Sequence, residues 1–494
     1  MADTEKDLDI ELIKRRAISG VVSFTLRTFF IQAFTFGATF ILTILLAPEI
    51  FGIFFVVSAI LNFFVYFSDI GLAAALIQKK HKPSREDFVT TFTIQQAIVG
   101  SLVIVGFLLS SKIAQVYGLN ADGLLLLRIL IFSLLLSSLK TIPSIILERD
   151  LSFGKLIIPQ IAENMVFYST AVFLAYQGFG LSSFTWAVLA RGLIGLCLIY
   201  LLAPWMPAVG FNKLSAKKLT SFGIPFQLNS ILALIKDDLL TVFIGKILPF
   251  AQVGYIGWAQ RFAFVPLRFF ADNVNRVTFP VYSRLQTQRH DLGKAIEKSI
   301  FFVIFFVYPS IFGMIALAPR LIDLIPNYGK WEPALPLLYF FAINTIFSAL
   351  STTITNTLFA VGKPGIVLKF MIFWTTATWV LTYPAIVYFG YIGVGIASAL
   401  VASTSLFTIY IAKRYVTIKI GYNVLGPFLI SVLMATVVRG ILTVLPQNAA
   451  SLFFAIFAGA IIYFTISFSI YRDRVKEDVK TIVGALFFSR KNEN

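Results

Sequence analysis

The sequence predicts an all-α polytopic membrane protein of about fourteen transmembrane helices, in two six-helix lobes plus a C-terminal helix pair. Three observations predict it. Of the 494 residues, 58% are hydrophobic and only 13% are charged, about half the charge with which a soluble domain solvates its surface. About fourteen apolar stretches approach the roughly 20 residues that a helix needs to cross the hydrocarbon. The basic residues then sort by alternating loop, as orientation in a membrane requires.

Taken in order, a polar and basic tail (1–19) precedes spans over approximately 20–46, 51–76, 88–111, 123–142, 156–177 and 181–202, which form the first lobe. A linker with Pro204, Pro207 and "NKLSAKKL" occupies 203–221. Spans over 222–246, 251–274, 298–318, 334–360, 365–387 and 391–412 form the second lobe, which extends over 222–414. The pair at 423–445 and 449–471 falls within 415–471, and a charged tail (472–494) follows.

With the N-terminus inside, thirty of the 41 Lys and Arg residues fall in tails and inner loops, five in outer loops and ends, and six within spans. Clusters such as "KKHKPSRED" (79–87) and "RLQTQRHDLGK" (284–294) lie inside, so both termini are expected in the cytoplasm. The net charge of +17 thereby finds its explanation without nucleic acid. Cys197 is alone and forms no internal disulfide, and His81 and His290 sit in polar loops, so no metal site and no cofactor are expected. The first apolar run is too long for a signal-peptide core and lacks a small-residue cleavage site. No connection is long enough to house a soluble catalytic domain, so no catalytic residue and no enzyme activity are expected.

The two lobes resemble each other. "LLAPEIFGIF" (45–54) and "KILPFAQVGYI" (246–256) both join a first and a second helix through a Pro-containing turn that ends in Gly. "SIILERDLSFGKL" (144–156) and "NTLFAVGKPGIVL" (356–368) both join a fourth and a fifth, and "GFGL" (178–181) and "GYIGVG" (390–395) both open a sixth. Parallel six-helix repeats are an arrangement that alternating-access transporters use around a midplane site.

"FSDIGLAAALIQKK" (67–80) resembles the "D-x-GL-xx-A-LIQ" pattern at the inner end of the second helix of oligosaccharide flippases. "FIGKILPFAQVGYIGWAQRFAFVPLRFF" (243–270), running into "VTFPVYSRLQ" (277–286), resembles their second-lobe signature, and "NTLFAVGKPG" (356–365) their "A-x-G-(K/R)-P" turn. The chain is similar over nearly its whole length to Wzx-type flippases and polysaccharide exporters of the multidrug/oligosaccharidyl-lipid/polysaccharide superfamily, nearest to the colanic and teichuronic acid exporter branch. One departure is that Asp238 stands farther before the "IG" of 244–245 than the family's lone Asp, with Lys236 and Asp237 beside it. The resemblance implies alternating access that moves a lipid-linked oligosaccharide, on an undecaprenyl-diphosphate-type carrier, from the inner to the outer leaflet for cell-surface polysaccharide or lipopolysaccharide. It also implies a bacterial inner membrane, contact with membrane lipids, H⁺ or Na⁺ as candidate coupling ions, and the polysaccharide polymerase machinery as a candidate partner.

The charges inside spans are the candidate site, because a charge facing lipid is strongly disfavoured. Arg27, Arg191 and Arg261 read as anion contacts in a cavity, or as structural arginines paired with acids or carbonyls. Arg128, near the outer end of its helix, reads as snorkelling to the surface. Glu163, with Gln160 and Asn164 nearby, is a partner for an arginine or a proton carrier. Arg268 and Asp272, just after Pro266, read as an i,i+4 ion pair or a gate, and Asp69 as a structural or gating residue at the inner surface. In an α-helix Lys236 and Asp238 point about 200° apart. Asp238 then shares a stripe with Gln227, Ile231, Leu234 and Thr241, Lys236 lies with Asn229 and Phe243, and Asp237 with Ser230 and Thr241. Either Lys236 satisfies an adjacent Asp, or Asp237 or Asp238 carries a coupling ion while Lys236 joins the anion site. Six in-span cations against five acids lean towards an anionic substrate. A drug/cation antiporter of the same superfamily is the main rival, and a membrane polysaccharide polymerase a weaker one.

Overall fold

The computed structural model describes residues 31–79, 81–228, 234–418 and 421–491, and every regular element among them is helical. The chain forms two compact units, Met1–Gly257 with Thr375–Val380 and Trp258–Trp374 with Leu381–Asn494. They divide later in the chain than the 203–221 linker.

In the first unit, α1 (Ile31–Leu45) is followed by α2 (Pro48–Ser68), which opens on a proline at its first position, where no N–H is missed. A short α3 (Leu72–Gln78) follows a turn that needs Gly71 in the left-handed region, φ 80°. Asp69 accepts from the N–H groups of Leu72 and Ala73 at 2.9 and 3.4 Å and so caps α3. The "SDIGL" motif is therefore a helix–turn–helix corner. α4 (Arg85–Tyr117) begins with a capping box between Ser84 and Asp87, and α5 (Ala121–Leu139) with the Asn120 side chain accepting from Gly123 N–H. α6 (Thr141–Arg149), α7 (Phe153–Tyr176) and α8 (Ser182–Leu202) complete a bundle in which α5, α7 and α8 pack together and α2 packs on α5. α9 (Lys213–Leu228) lies against α3 and α4.

A π-helical turn (Leu234–Asp238) leads into α10 (Leu239–Ile247), and both pack on α2. There the glycines of the family signature have a steric task. A side chain on Gly245 would collide with Val56, one on Gly52 with the Phe250 carbonyl, and one on Gly254 with the Pro48 carbonyl. Two turns that look alike in sequence thus meet reciprocally, each glycine against the first residue of the other's helix.

α11 (Phe250–Arg284) runs through Pro266 and Pro280 into the second unit. That unit is organised by α12 (Arg289–Leu324), which packs against α13 (Leu335–Ala360), α17 (Gly421–Val444) and α18 (Ala449–Lys491). Ile300, Ile304, Val307 and Ile311 of α12 are fully buried with Ala342, Ala349 and Ile354 of α13. α14 (Pro364–Phe389), α15 (Ile392–Ser403) and α16 (Leu406–Ala412) lie between α13 and α17 in the chain, and α13 packs on α15 and α16.

Eleven helical stretches among the described residues are long and apolar enough to cross a membrane, and they correspond to eleven of the expected spans. The expected first, seventh and eighth fall on the shorter α1, on the broken stretch 234–247, and on α11 with its many polar residues. Large apolar side chains such as Leu108, Val380 and Phe457, each more than 60% exposed, cover the outside. A chain with eleven such helices and so many exposed large apolar side chains is a multi-pass membrane protein.

Candidate functional site

The first unit holds a three-charge cluster around Glu163 of α7. Glu163 lies where α8 comes closest, because residue 195 is glycine and a Cβ there would collide with the Glu163 carboxylate. Lys140, between α5 and α6, donates from Nζ to Glu163 Oε1 at 2.6 Å. Arg191 of α8 brings its Nε to 3.7 Å from Glu163 Oε2, and its guanidinium carbon lies 6.0 Å from the centre of the Phe167 ring. The Glu163 and Lys140 side chains are 12% and 18% exposed, whereas that of Arg191 is 49% exposed. Two cations around one carboxylate leave a net positive charge. The Arg191 Nη donors have no hydrogen-bond partner among the described residues, and they stand ready for an anion.

Lys140 is the partner that sequence reasoning missed. It sits at the C-terminal end of an apolar run, where a lysine looks like a loop residue, and it pairs with a residue on another helix. Arg128 donates from Nε to Ser110 Oγ at 3.1 Å and from Nη2 to Ser111 Oγ at 3.3 Å, both on α4.

The stretch Lys236-Asp237-Asp238 belongs to the π-helical turn. A π turn closes i→i+5 and so rotates less per residue than an α-helix. Two steps of about 82° still set Lys236 and Asp238 about 165° apart, so they point to opposite faces in the π turn as they do in an α-helix. The Asn62 side chain of α2 donates to Asp238 Oδ1 at 2.7 Å, Trp379 Nε1 donates to the Ile235 carbonyl at 3.0 Å, and the Thr241 hydroxyl to the Asp237 carbonyl at 2.8 Å. No ion pair joins Lys236 to either aspartate among the described residues, so the reading in which Lys236 satisfies a neighbouring Asp does not hold there. Asn229, Ser230 and Ile231 lie outside the described residues, and so does Arg27.

In the second unit, Arg261 is half-buried on α11 beside Trp258, which stacks on Trp331 with ring centres 5.6 Å apart and donates to the Tyr328 hydroxyl. Arg268 and Asp272 are exposed on the same helix, and no ion pair joins them among the described residues. Asp69 caps α3 as described above. No group of three metal-ligating side chains occurs among the described residues.

The model of the polysaccharide biosynthesis protein family matches residues 41–336, more than half of the chain. The succinoglycan biosynthesis transport protein ExoT of Rhizobium meliloti (strain 1021) is 25% identical over 72% of this chain and 71% of its own length. The lipopolysaccharide biosynthesis protein WzxC of Escherichia coli (strain K12) is 22% identical over 65% of this chain and 64% of its own. Among solved structures, lipid II flippase MurJ in an inward closed conformation superposes with a TM-score of 0.74 at 17% identity, covering 92% of this chain and all of that one. An inward-facing multidrug resistance MATE family transporter of the MOP superfamily superposes at 0.60 with 14% identity, covering 78% and 95%. Both likenesses are of fold. Matched by the family model over more than half its length, the chain belongs to the polysaccharide biosynthesis protein family.

Proposed function

We propose that this chain is a flippase. It carries a lipid-linked oligosaccharide, on an undecaprenyl-diphosphate-type carrier, from the inner to the outer leaflet of a bacterial inner membrane, for assembly of a cell-surface polysaccharide. The names of its two relatives, a succinoglycan transport protein and a lipopolysaccharide biosynthesis protein, support that substrate class. The observation that carries the reading is Arg191, a half-exposed guanidinium inside an apolar helix whose Nη donors are open among the described residues. A diphosphate and its sugars cannot cross about 30 Å of hydrocarbon without replacement of their hydration. Fixed guanidinium donors supply that replacement with bidentate, charge-assisted hydrogen bonds. A site built for hydrophobic cations would not spend two cations on one carboxylate.

In this reading the lobes over 20–202 and 222–414 alternate in access, the pair within 415–471 flanks the second, and both termini are cytoplasmic. Arg27, Arg191, Lys236 and Arg261 line the anion path, Asp237, Asp238 or Glu163 carries the coupling H⁺ or Na⁺, and Asp69, Arg268 and Asp272 serve the gate. The polysaccharide polymerase machinery receives the product. The test is a deletion strain assayed for lipid-linked oligosaccharide in the inner leaflet. Accumulation is expected, and Arg191→Ala or Arg261→Ala proteins made at normal levels should rescue poorly. Full rescue by both would remove the cationic path.

A further inference from the structure

At the Arg85 end of α4 the first unit holds a cavity of about 710 Å³ that the proposed transport path does not use. Lys82, Arg85 and Arg149 line it against the single carboxylate of Asp150, and Phe88 and Trp205 form an aromatic wall. Arg149 is fixed in place. Its Nη1 donates to the carbonyls of Leu76, Ile77 and Lys79 at 2.6 to 3.0 Å, and its Nη2 to that of His81 at 3.3 Å, so it closes the C-terminal end of α3. Lys79 is neutralised by Asp87. Lys82 and Arg85 are exposed and have no acidic partner among the described residues. The cavity therefore holds an uncompensated positive charge, next to the positive end of the α4 dipole.

Its position selects the ligand. α4 has 33 residues, about 50 Å at 1.5 Å per residue, against a hydrocarbon core of about 30 Å. Its ends consequently reach the headgroup layer, where lipid phosphates lie. The connectors beside the cavity expose Leu151 (69%), Met206 (83%), Val209 (87%) and Phe211 (67%), with Lys155, Lys213 and Lys217 exposed nearby in sequence. Apolar side chains interleaved with lysines at a helix end match the chemistry of an anionic membrane interface. The volume also exceeds what inorganic phosphate needs and falls in the range of sites for small organic ligands, about 300–1,000 Å³.

We propose that this cavity binds the phosphate-bearing headgroup of an anionic membrane lipid. The lipid ties together the connector before α4, the α6–α7 connector and the 203–212 segment, and it makes the stability of this end depend on lipid charge. The experiment uses the full-length protein in phosphatidylcholine nanodiscs with graded phosphatidylglycerol, read by native mass spectrometry of retained lipid and by thermal midpoint. Phosphatidylglycerol should be retained in preference to phosphatidylcholine and should raise the midpoint. Lys82→Gln/Arg85→Gln should weaken its retention about tenfold, whereas Lys112→Gln, at the far end of α4, should leave it unchanged. Arg85→Lys, which keeps the charge, should retain most of the preference and shows that any loss is not a folding defect. Equal retention by the double variant, or equal retention of the two lipids by the wild type, would overturn the proposal. Displacement of phosphatidylglycerol by millimolar inorganic phosphate or glycerol phosphate would reassign the cavity to a free phosphate compound and overturn it equally.

Discussion

Glu163 and Asp238 are both carboxylates on apolar helices of the first unit, yet their surroundings differ in kind. Glu163 meets Lys140 at 2.6 Å and Arg191 at 3.7 Å, and a glycine on the facing helix makes room for it. Asp238 meets only the neutral amide of Asn62 among the described residues, at 2.7 Å, while its neighbours Lys236 and Asp237 lack side-chain partners there. The backbone differs too, regular α-helix around Glu163 and a π turn around Asp238. A carboxylate enclosed by two cations is held in one place. A carboxylate held by an amide on a bulged turn has no cationic partner among the described residues, and such bulges are frequent at functional sites. In the function proposed above, the first region serves as a scaffold that presents Arg191 and the second as the region that responds to ligand or ion.

Removing the centre of the scaffold should have the largest effect. Glu163→Leu leaves Lys140 unpaired in a setting only 18% exposed, and it should destabilise the protein by about 3–5 kcal/mol, seen as a fall in the thermal midpoint in detergent. Lys140→Met added to it should restore most of that loss, because a buried ion pair replaced as a whole by apolar groups is close to neutral. An unchanged midpoint for Glu163→Leu alone would erase the difference between the two regions. Gly195→Ala comes next. Its methyl group displaces the carboxylate and should cost about 1–3 kcal/mol, whereas Gly100→Ala, where nothing lies within 4 Å of the new methyl, should stabilise α4 by about 0.5–1 kcal/mol.

How far each region could be read from sequence follows from its physics. The spans were legible because a run of about 20 apolar residues identifies itself without tertiary context. The corner at 67–72 was visible as a motif, and its cause is local, Asp69 capping α3 across three residues. Lys140–Glu163 was not legible, since the pair joins residues 23 positions apart on different elements and no periodicity links them. The clamp of Arg149 on the end of α3 spans 68 to 73 positions and escapes for the same reason. At 234–238 the kind of turn was not legible, because nothing in the local sequence marks a π turn, although Lys236 and Asp238 point to opposite faces with either helical step.

The π turn is held from outside by Trp379, 144 residues away. Trp379→Phe keeps an aromatic ring against Phe243, whose ring centre is 5.5 Å distant, but loses the donor to the Ile235 carbonyl. It should cost about 1 kcal/mol, measured by thermal unfolding, less than either change at the Glu163 cluster. A loss as large as that of Glu163→Leu would mean that the turn is itself part of the scaffold.

The smallest stability effect belongs to the triplet, and there the comparison becomes sharpest. Lys236→Gln, Asp237→Asn and Asp238→Asn each remove a charge that no oppositely charged partner balances among the described residues, and Asp238→Asn retains an acceptor for Asn62. Each should shift stability by less than about 0.5 kcal/mol. If the region responds to ligand or ion, the same changes should alter transport in a vesicle assay with an imposed pH or Na⁺ gradient. Lys236→Gln should slow transport under every condition, because it removes a cation from the anion path. The double change Asp237→Asn/Asp238→Asn should instead abolish the dependence on the gradient while slow exchange persists. Were the doubly changed protein to keep its full gradient dependence, Glu163 would be the remaining proposed carrier, and a residue enclosed by Lys140 and Arg191 would have to release its partners in every cycle.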